Sequence, residues 1–491
     1  MFKSFTLIVR CVNRHNVYEH VRFASQALPQ FSSEKYNVKR KPFNTVEIVD
    51  VNYFKSILSE DRVLTEESDV QPYNIDWIKN CRGQSKVVLK PKCTEEVSNI
   101  LKYSNEKRLA ICPQGGNTGL VGGSVPVFDE IVLNFVLMNK IISLDEISGA
   151  LICEAGCILE NLDNYVRERN LIMPLDLGAK GTCHIGGNAS TNAGGLRLLR
   201  YGNLHGSILG IEAVKADGTV IDCLRAMKKD NTGYHLKHLF IGSEGTLGVV
   251  TKVAIHCPVL PKAVTVGFFG VKNFENILQL YKSAKSSLGE ILSAFEMADF
   301  HSIISTVKNL KLPNPISAYP FYVLIETHGS DENHDAEKLN NFLSKEMESG
   351  LIIDGTVTSE PAKMQDAYKL VYLFLHDFRH DTLFFKYSNT LCPGHLTEIF
   401  PRVVSSGDGN IHINVTVPQY TKQVASLLEP YIFEEVSKLN GSISAEHGIG
   451  FRKPHYIHYS KDPSALQLMK DLKQLMDPNG ILNPYKVLPE Q

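Results

Sequence analysis

The stretch SSGDGNIHIN, residues 405–414, runs from a tight polar turn into an alternating strand. A period of two sets His412 and Asn414 on one face of that strand and Ile411 and Ile413 on the other. An imidazole and an amide on a shared face can ligate a metal or hydrogen-bond a substrate, although a histidine on the solvated face of an edge strand gives the same pattern. A second concentration of chemistry lies in glycines. PQGGNTGLVGGS, residues 113–124, follows an apolar run and lets consecutive backbone N–H groups approach an anion, as a pyrophosphate cradle does. No lysine stands where a P-loop needs one, and Gly115–Gly119 does not open a helix as a dinucleotide fingerprint would. Alone, such a loop could be a flexible surface turn. Two more occur, GAKGTCHIGGN with TNAGG (178–195) and IGSEGTLGVVT (241–251), and together the three predict an elongated ligand enclosed by backbone.

Positioning these loops takes an α+β frame. Val87-Val88-Leu89 reads as a strand, Thr94 as a helix N-cap with Glu95 and Glu96 in the first turn, and Leu109–Cys112 as the strand feeding the first loop. Further strands are predicted near 131–135 and 150–153, with a helix near 158–169. After Pro261 the glycines thin out. Strands near 264–269, 292–295 and 321–326, and helices from Phe274 and near 336–346, predict helices on an antiparallel sheet. Asp462-Pro463 opens a last helix that stops at Asp477-Pro478-Asn479-Gly480.

At 491 residues the chain needs more than one core, and a formal charge of −2 without basic blocks argues against nucleic acid as a partner. No apolar run approaches the ~20 residues that cross a bilayer, so no transmembrane segment is expected and the protein should be soluble. Ten cysteines without CxxC or zinc-ribbon spacing suit reduced, structural thiols. No acid precedes Glu19, while Lys3, Arg10, Arg14 and Arg22 stand among apolar residues. That is transit-peptide chemistry, with a frayed terminus as the competing reading.

The series PQGGNTGLVGGSVP, PLDLGAKGTCHIGGNASTNAGG and IGSEGTLGVVT, with LRYGNLHG, KDNTGY, GDGNIHINV, AEHGIGFRK and DPNGILNPYK, resembles the flavoprotein family of the vanillyl-alcohol-oxidase type. The resemblance extends from Trp77 to Tyr485 and implies an α+β fold. A two-subdomain FAD-binding domain (46–262) would follow a mitochondrial presequence and linker (1–45). An antiparallel-sheet cap, or substrate, domain (263–440) and a C-terminal helical segment returning to the flavin (441–491) would complete it. Members that attach FAD covalently commonly carry a histidine after the first glycines. Asn117 stands there, so non-covalent FAD is implied. Gly115, Gly116, Asn117, Thr118, Gly119, Gly122, Gly123 and Ser124 would take the pyrophosphate. Pro174, Thr182, Gly186, Gly187, Asn192 and Gly195 would line the path to the ring, and Glu244, Gly245 and Val249 the ribose and adenine end.

The resemblance also implies the reaction, oxidation of D-2-hydroxyglutarate to 2-oxoglutarate in the mitochondrial matrix, with electron-transfer flavoprotein as acceptor. His412 and Glu446 match two family ligands of a divalent metal such as Zn²⁺, and Ser405 stands where a third ligand, a histidine, is expected. His447 matches the base that takes the hydroxyl proton and touches the substrate, while Lys386 and Asn414 match substrate-binding residues. The segment 368–406 departs from the family. Its helix lacks the arginine and threonine that grip a carboxylate, Arg379 lies off the expected face, and the connection from Lys386 to Gly407 is short. The departure leaves open a chain that binds FAD with impaired catalysis, or one acting on D-lactate or another D-2-hydroxy acid.

Overall fold

The computed structural model of the chain describes residues 28–372, 383–390, 404–406, 409–417 and 428–489. Its first sheet has four strands, β1 (Val63–Leu64), β2 (Val88–Leu89), β3 (Ile111–Gln114) and β4 (Ile131–Asn134), in the order β1-β2-β4-β3. β2 and β3, joined through the helix Thr94–Glu106, run parallel on either side of β4, which pairs in parallel with both. That helix turns Val97, Ile100 and Leu101 inward, all fully buried. Thr94 is its first residue rather than its cap. Cys93 holds the N-cap position, and the Thr94 hydroxyl instead donates to Glu212 across the domain.

A second sheet contains β5 (Ile141–Asp145), β6 (Ala150–Glu154), β7 (Ile208–Val214), β8 (Val220–Cys223) and β9 (Val249–His256), antiparallel throughout in the order β5-β6-β9-β7-β8. One continuous apolar core joins it to the first sheet, with Leu89, Ile111 and Leu133 from one and Leu151, Cys153 and Val253 from the other. The long β3–β4 loop and the segments before β7 and β9 carry the glycines.

The third sheet is antiparallel and seven-stranded: β10 (Ala263–Val271), β11 (Leu292–Asp299), β12 (Phe321–Gly329), β13 (Asp354–Thr358), β14 (Leu383–Thr390), β15 (Val404–Ser406) and β16 (Asn410–Val417), in the order β13-β10-β12-β11-β15-β16-β14. Strand alternation divides its packing. Phe269, Val323 and Ile325 meet the helices Phe274–Ser287 and Glu332–Glu348, while Phe268, Tyr322 and Leu324 meet Ile303, Leu370 and Val371 of the helices Phe300–Leu310 and Pro361–Tyr372.

After the helix Pro463–Met476 the chain returns to the first core. Leu482 bridges to Ile111 in parallel, and the Asn483 N–H donates to Ile111 O at 2.8 Å. Residues 28–45, assigned from sequence to presequence and linker, run along the first domain. Ser32 is buried and exchanges hydrogen bonds of 2.8 Å with the Arg82 backbone, and Arg40 grips Asp129 with two bonds of 2.7 and 2.9 Å.

Candidate active site

The three glycine segments converge. A Cβ on Gly116 would lie 1.9 Å from Thr182 O, so the first segment presses directly on the second. Gly245, at φ +71°, sits against the Pro113 ring, joining the third segment to the first. Asn117 adopts φ +52°, where asparagine substitutes for glycine. Its amide donates to Ile75 O at 2.7 Å and its oxygen accepts the Ser124 hydroxyl at 2.8 Å, which closes the loop on itself.

Gly119 and Gly187 are different. A Cβ on either meets nothing within 4 Å, and neither has a positive φ, so packing and backbone strain leave their identity unexplained. A ligand lying close over the backbone explains it. His184 Nδ1 and Asn188 Oδ1, one turn apart beside Gly187, are buried with no hydrogen-bond partner among the described residues, and burial lowers the pKa of the His184 imidazole. Buried polar atoms of this kind need a polar ligand to complete them. These features fit FAD.

Other predicted contacts have packing roles. Gly186 abuts Ala155, Gly195 abuts Asp176 O, Gly122 abuts the Cys81 thiol, and Val249 and Pro174 are buried. Gly115 faces the His184 ring and Gly123 faces Glu244, while Thr118 is half-buried and Thr182 exposed. The Asn192 oxygen accepts the His205 N–H at 3.1 Å. The Glu244 carboxylate accepts two backbone N–H groups of residues 449 and 450, and its pKa is raised because burial outweighs those bonds.

Beside the second segment lies the chemistry. His412, Glu446 and His447 bring one ligand atom each to within 4.8 Å of one another. His412 Nε2 is 3.8 Å and His447 Nε2 is 3.9 Å from Glu446 Oε2. All three side chains are mostly buried, at 12%, 14% and 24% exposure for His412, His447 and Glu446. Two imidazoles and a carboxylate fit a divalent cation with positions left for substrate oxygens. A Cβ on Gly194 would lie 3.3 Å from Glu446 Cγ, so the cluster borders the flavin-side glycines. The sequence reading paired His412 with Glu446 and kept His447 apart as a base, whereas the structure brings all three together.

Asn410 was missed. Its amide donates to Glu446 Oε1 at 2.6 Å and lies 3.0 Å from His412 Nε2. Residues 410, 412 and 414 share strand parity, so the alternation that singled out His412 also marks Asn410. The register sets Val404 opposite His412, and Ser405 opposite Ile411. Lys386 pairs with Asn414 between β14 and β16. Arg379 lies outside the described residues.

Of the stretch 371–375, where the family carries arginine and threonine, residues 373–375 lie outside the described residues, and the helix Pro361–Tyr372 that leads into it packs on the cap core. Leu370 and Val371 are buried, and the Tyr368 hydroxyl donates to Glu326. Glu326 in turn lies 2.9 Å from His328 Nε2, and His328 Nδ1 is 2.8 Å from the Tyr201 hydroxyl, a polar relay between cap sheet and glycine-rich domain.

Fold and family matches together define an FAD-dependent flavoprotein. Residues 85–224 match the FAD binding domain family, and residues 260–376 and 402–487 match the C-terminal domain of FAD linked oxidases. The second match is interrupted within the divergent segment. The mitochondrial D-2-hydroxyglutarate dehydrogenase of Rattus norvegicus is 50% identical over 470 residues, covering 93% of this chain and 88% of the relative. A D-2-hydroxyglutarate–pyruvate transhydrogenase of Saccharomyces cerevisiae is 44% identical, covering 95% and 100%. The solved structure of an alkyldihydroxyacetonephosphate synthase shares the fold, with a TM-score of 0.72 at 16% identity, over 95% of this chain and 89% of that one. The chain belongs to the FAD-dependent D-2-hydroxy acid dehydrogenases, within the flavoproteins of the vanillyl-alcohol-oxidase type.

Proposed function

We propose that this chain oxidises D-2-hydroxyglutarate to 2-oxoglutarate in the mitochondrial matrix, with FAD held non-covalently by residues 46–262 and a divalent cation such as Zn²⁺ beside it. The observation that carries the reading is the meeting of His412, Glu446 and His447 at the edge of the glycine segments. Relatives half identical in sequence carry D-2-hydroxyglutarate in their names, and those names include the mitochondrion.

Oxidation removes a hydride from C2 and a proton from the 2-hydroxyl. FAD, when bound, supplies the hydride acceptor. His412 and Glu446 would hold the cation, which would supply Lewis acidity toward the substrate hydroxyl. His447 takes that proton as the hydride leaves. Asn410 fixes the direction of the Glu446 carboxylate by donating to its Oε1. Lys386 and Asn414 bind the substrate from the cap domain, 263–440, and residues 441–491 carry Glu446 and His447 to the site. Electron-transfer flavoprotein is the proposed acceptor that returns the cofactor to its oxidised state, and the N-terminal residues are the proposed transit peptide.

The sequence at 371–375, which lacks the arginine and threonine of the family, favours a second reading, because a distal carboxylate there would have no guanidinium to neutralise it. D-Lactate has no distal carboxylate and needs no such grip. Anaerobic addition of each acid separates the readings. Flavin reduction by D-2-hydroxyglutarate at lower concentration supports the first, reduction by D-lactate alone supports the second, and reduction by neither leaves an FAD-binding protein with impaired catalysis.

A further inference from the structure

Glu244, expected from sequence at the ribose end of the cofactor, has its side chain committed elsewhere. The carboxylate is 8% exposed and accepts the Ile449 N–H at 2.7 Å and the Gly450 N–H at 2.8 Å, one on each oxygen. Both amides belong to the turn that begins with Glu446 and His447. The fit is close. Gly448 has φ +78°, and a Cβ there would lie 2.6 Å from Glu244 Oε1. The backbone of residue 244 is tied just as firmly. Its N–H donates to Ser190 O at 2.8 Å, and its carbonyl accepts the Asn483 amide at 2.8 Å, which also reaches Gly123 O at 3.0 Å. Glu244 therefore ties the second and third glycine segments to the turn, and through Asn483 the C-terminal segment and Gly123 of the first glycine segment are tied in as well. Lys453 and Lys486, both buried, bring compensating positive charge.

A carboxylate taken out of water is costly unless hydrogen bonds and nearby charge offset it, and here two backbone amides of the turn supply those bonds, which ties the position of the turn to the carboxylate. We propose that Glu244 is a positioning residue: it sets the 446–450 turn, and so the direction in which Glu446 and His447 face the flavin-side glycines, without its side chain touching cofactor or substrate. The inference rests on the reading that Glu446 and His447 do the chemistry.

Glu244→Gln tests it. A glutamine turns an NH₂ toward one of two N–H donors, so the turn must shift while volume and shape are kept. The expected result is an unchanged flavin-to-protein ratio with a limiting rate of flavin reduction lowered ~10-fold or more, the scale of lost outer-shell orientation. Zinc titration of the metal-stripped proteins supplies a readout that needs no substrate. Affinity in Glu244→Gln should fall by a similar factor, even should D-2-hydroxyglutarate prove the wrong acid. Flavin lost while the loaded fraction reduces at the wild-type rate would overturn the proposal, as would unchanged reduction and zinc affinity in a fully loaded protein. Should that variant not fold, Ser444→Ala loosens the same turn from within, because the Ser444 hydroxyl donates to Gly448 O. It is expected to keep flavin and lose rate by a smaller factor, and wild-type behaviour in it would count against the assignment.

Discussion

Asn410 donates its side-chain amide to Glu446 Oε1 across 2.6 Å, joining the strand that carries His412 to the turn that carries His447. Every functional side chain of the cluster thus stands on an element fixed by another: β16 by its neighbours in the cap sheet, the turn by Glu244. Asn410→Ala should keep FAD and lower kcat/KM for D-2-hydroxyglutarate by ~10–100-fold, as loss of an outer-shell partner does. Steady-state kinetics with an artificial acceptor, set beside the flavin absorbance ratio, measures both.

Glycine positions separate packing from ligand approach. Gly187→Ala adds a methyl in the helix Ile185–Thr191 where no described atom lies within 4 Å, so the melting temperature of the flavin-free protein should hold or rise slightly through helix propensity while FAD affinity drops. Gly116→Ala drives a methyl into Thr182 O and should lower both. Melting of flavin-free protein and FAD titration by flavin fluorescence check the contrast.

The relay between domains predicts a pH dependence. Burial pushes the Glu326 carboxyl up, but the hydrogen bond and charge of His328, together with Tyr368, outweigh it and hold the pKa at about 2. A carboxylate whose folded pKa lies below its unfolded one contributes stability that is complete above the unfolded value. That stability is lost as pH falls through about 4.5 toward 2, and amounts to about 3 kcal/mol. Glu326→Gln should therefore melt lower than wild type at pH 6, with the difference narrowing through that acid window. Parallel melts of the two proteins from pH 6 downward measure it.

Thiol chemistry gives another check. Burial raises Cys81 and Cys257 to about 12 and Cys183 to about 11, whereas Cys93 is exposed. At pH 8 an alkylating reagent should modify Cys93 in the native protein and leave the other three unmodified until denaturant is added. Peptide mass mapping before and after unfolding reads this out.

Much of the frame was legible because its signals are local. Period-two and helical spacing marked the strands and helices around both glycine-rich and cap sheets, and the three glycine segments pointed to their own convergence. Long-range pairs were not legible. Nothing near Thr94 announces that its hydroxyl prefers Glu212 to the helix end, and nothing near Glu244 announces that its partners lie about two hundred residues away. His447 joining the His412–Glu446 pair is also a matter of how a turn and a strand from different segments meet. Asn410 shares the strand parity of His412, but its role depends on a hydrogen bond to Glu446, 36 residues away, which no local pattern encodes.

The central claim is that backbone amides of three segments hold FAD with its reactive edge toward Glu446 and His447. Anaerobic addition of D-2-hydroxyglutarate to the purified yellow protein tests it most directly, with the L enantiomer as control. The account predicts bleaching of the flavin band by the D acid alone, and its loss in His447→Asn at undiminished flavin content. Protein that binds no FAD, or whose bound flavin is bleached by dithionite but by no D-2-hydroxy acid, would contradict it.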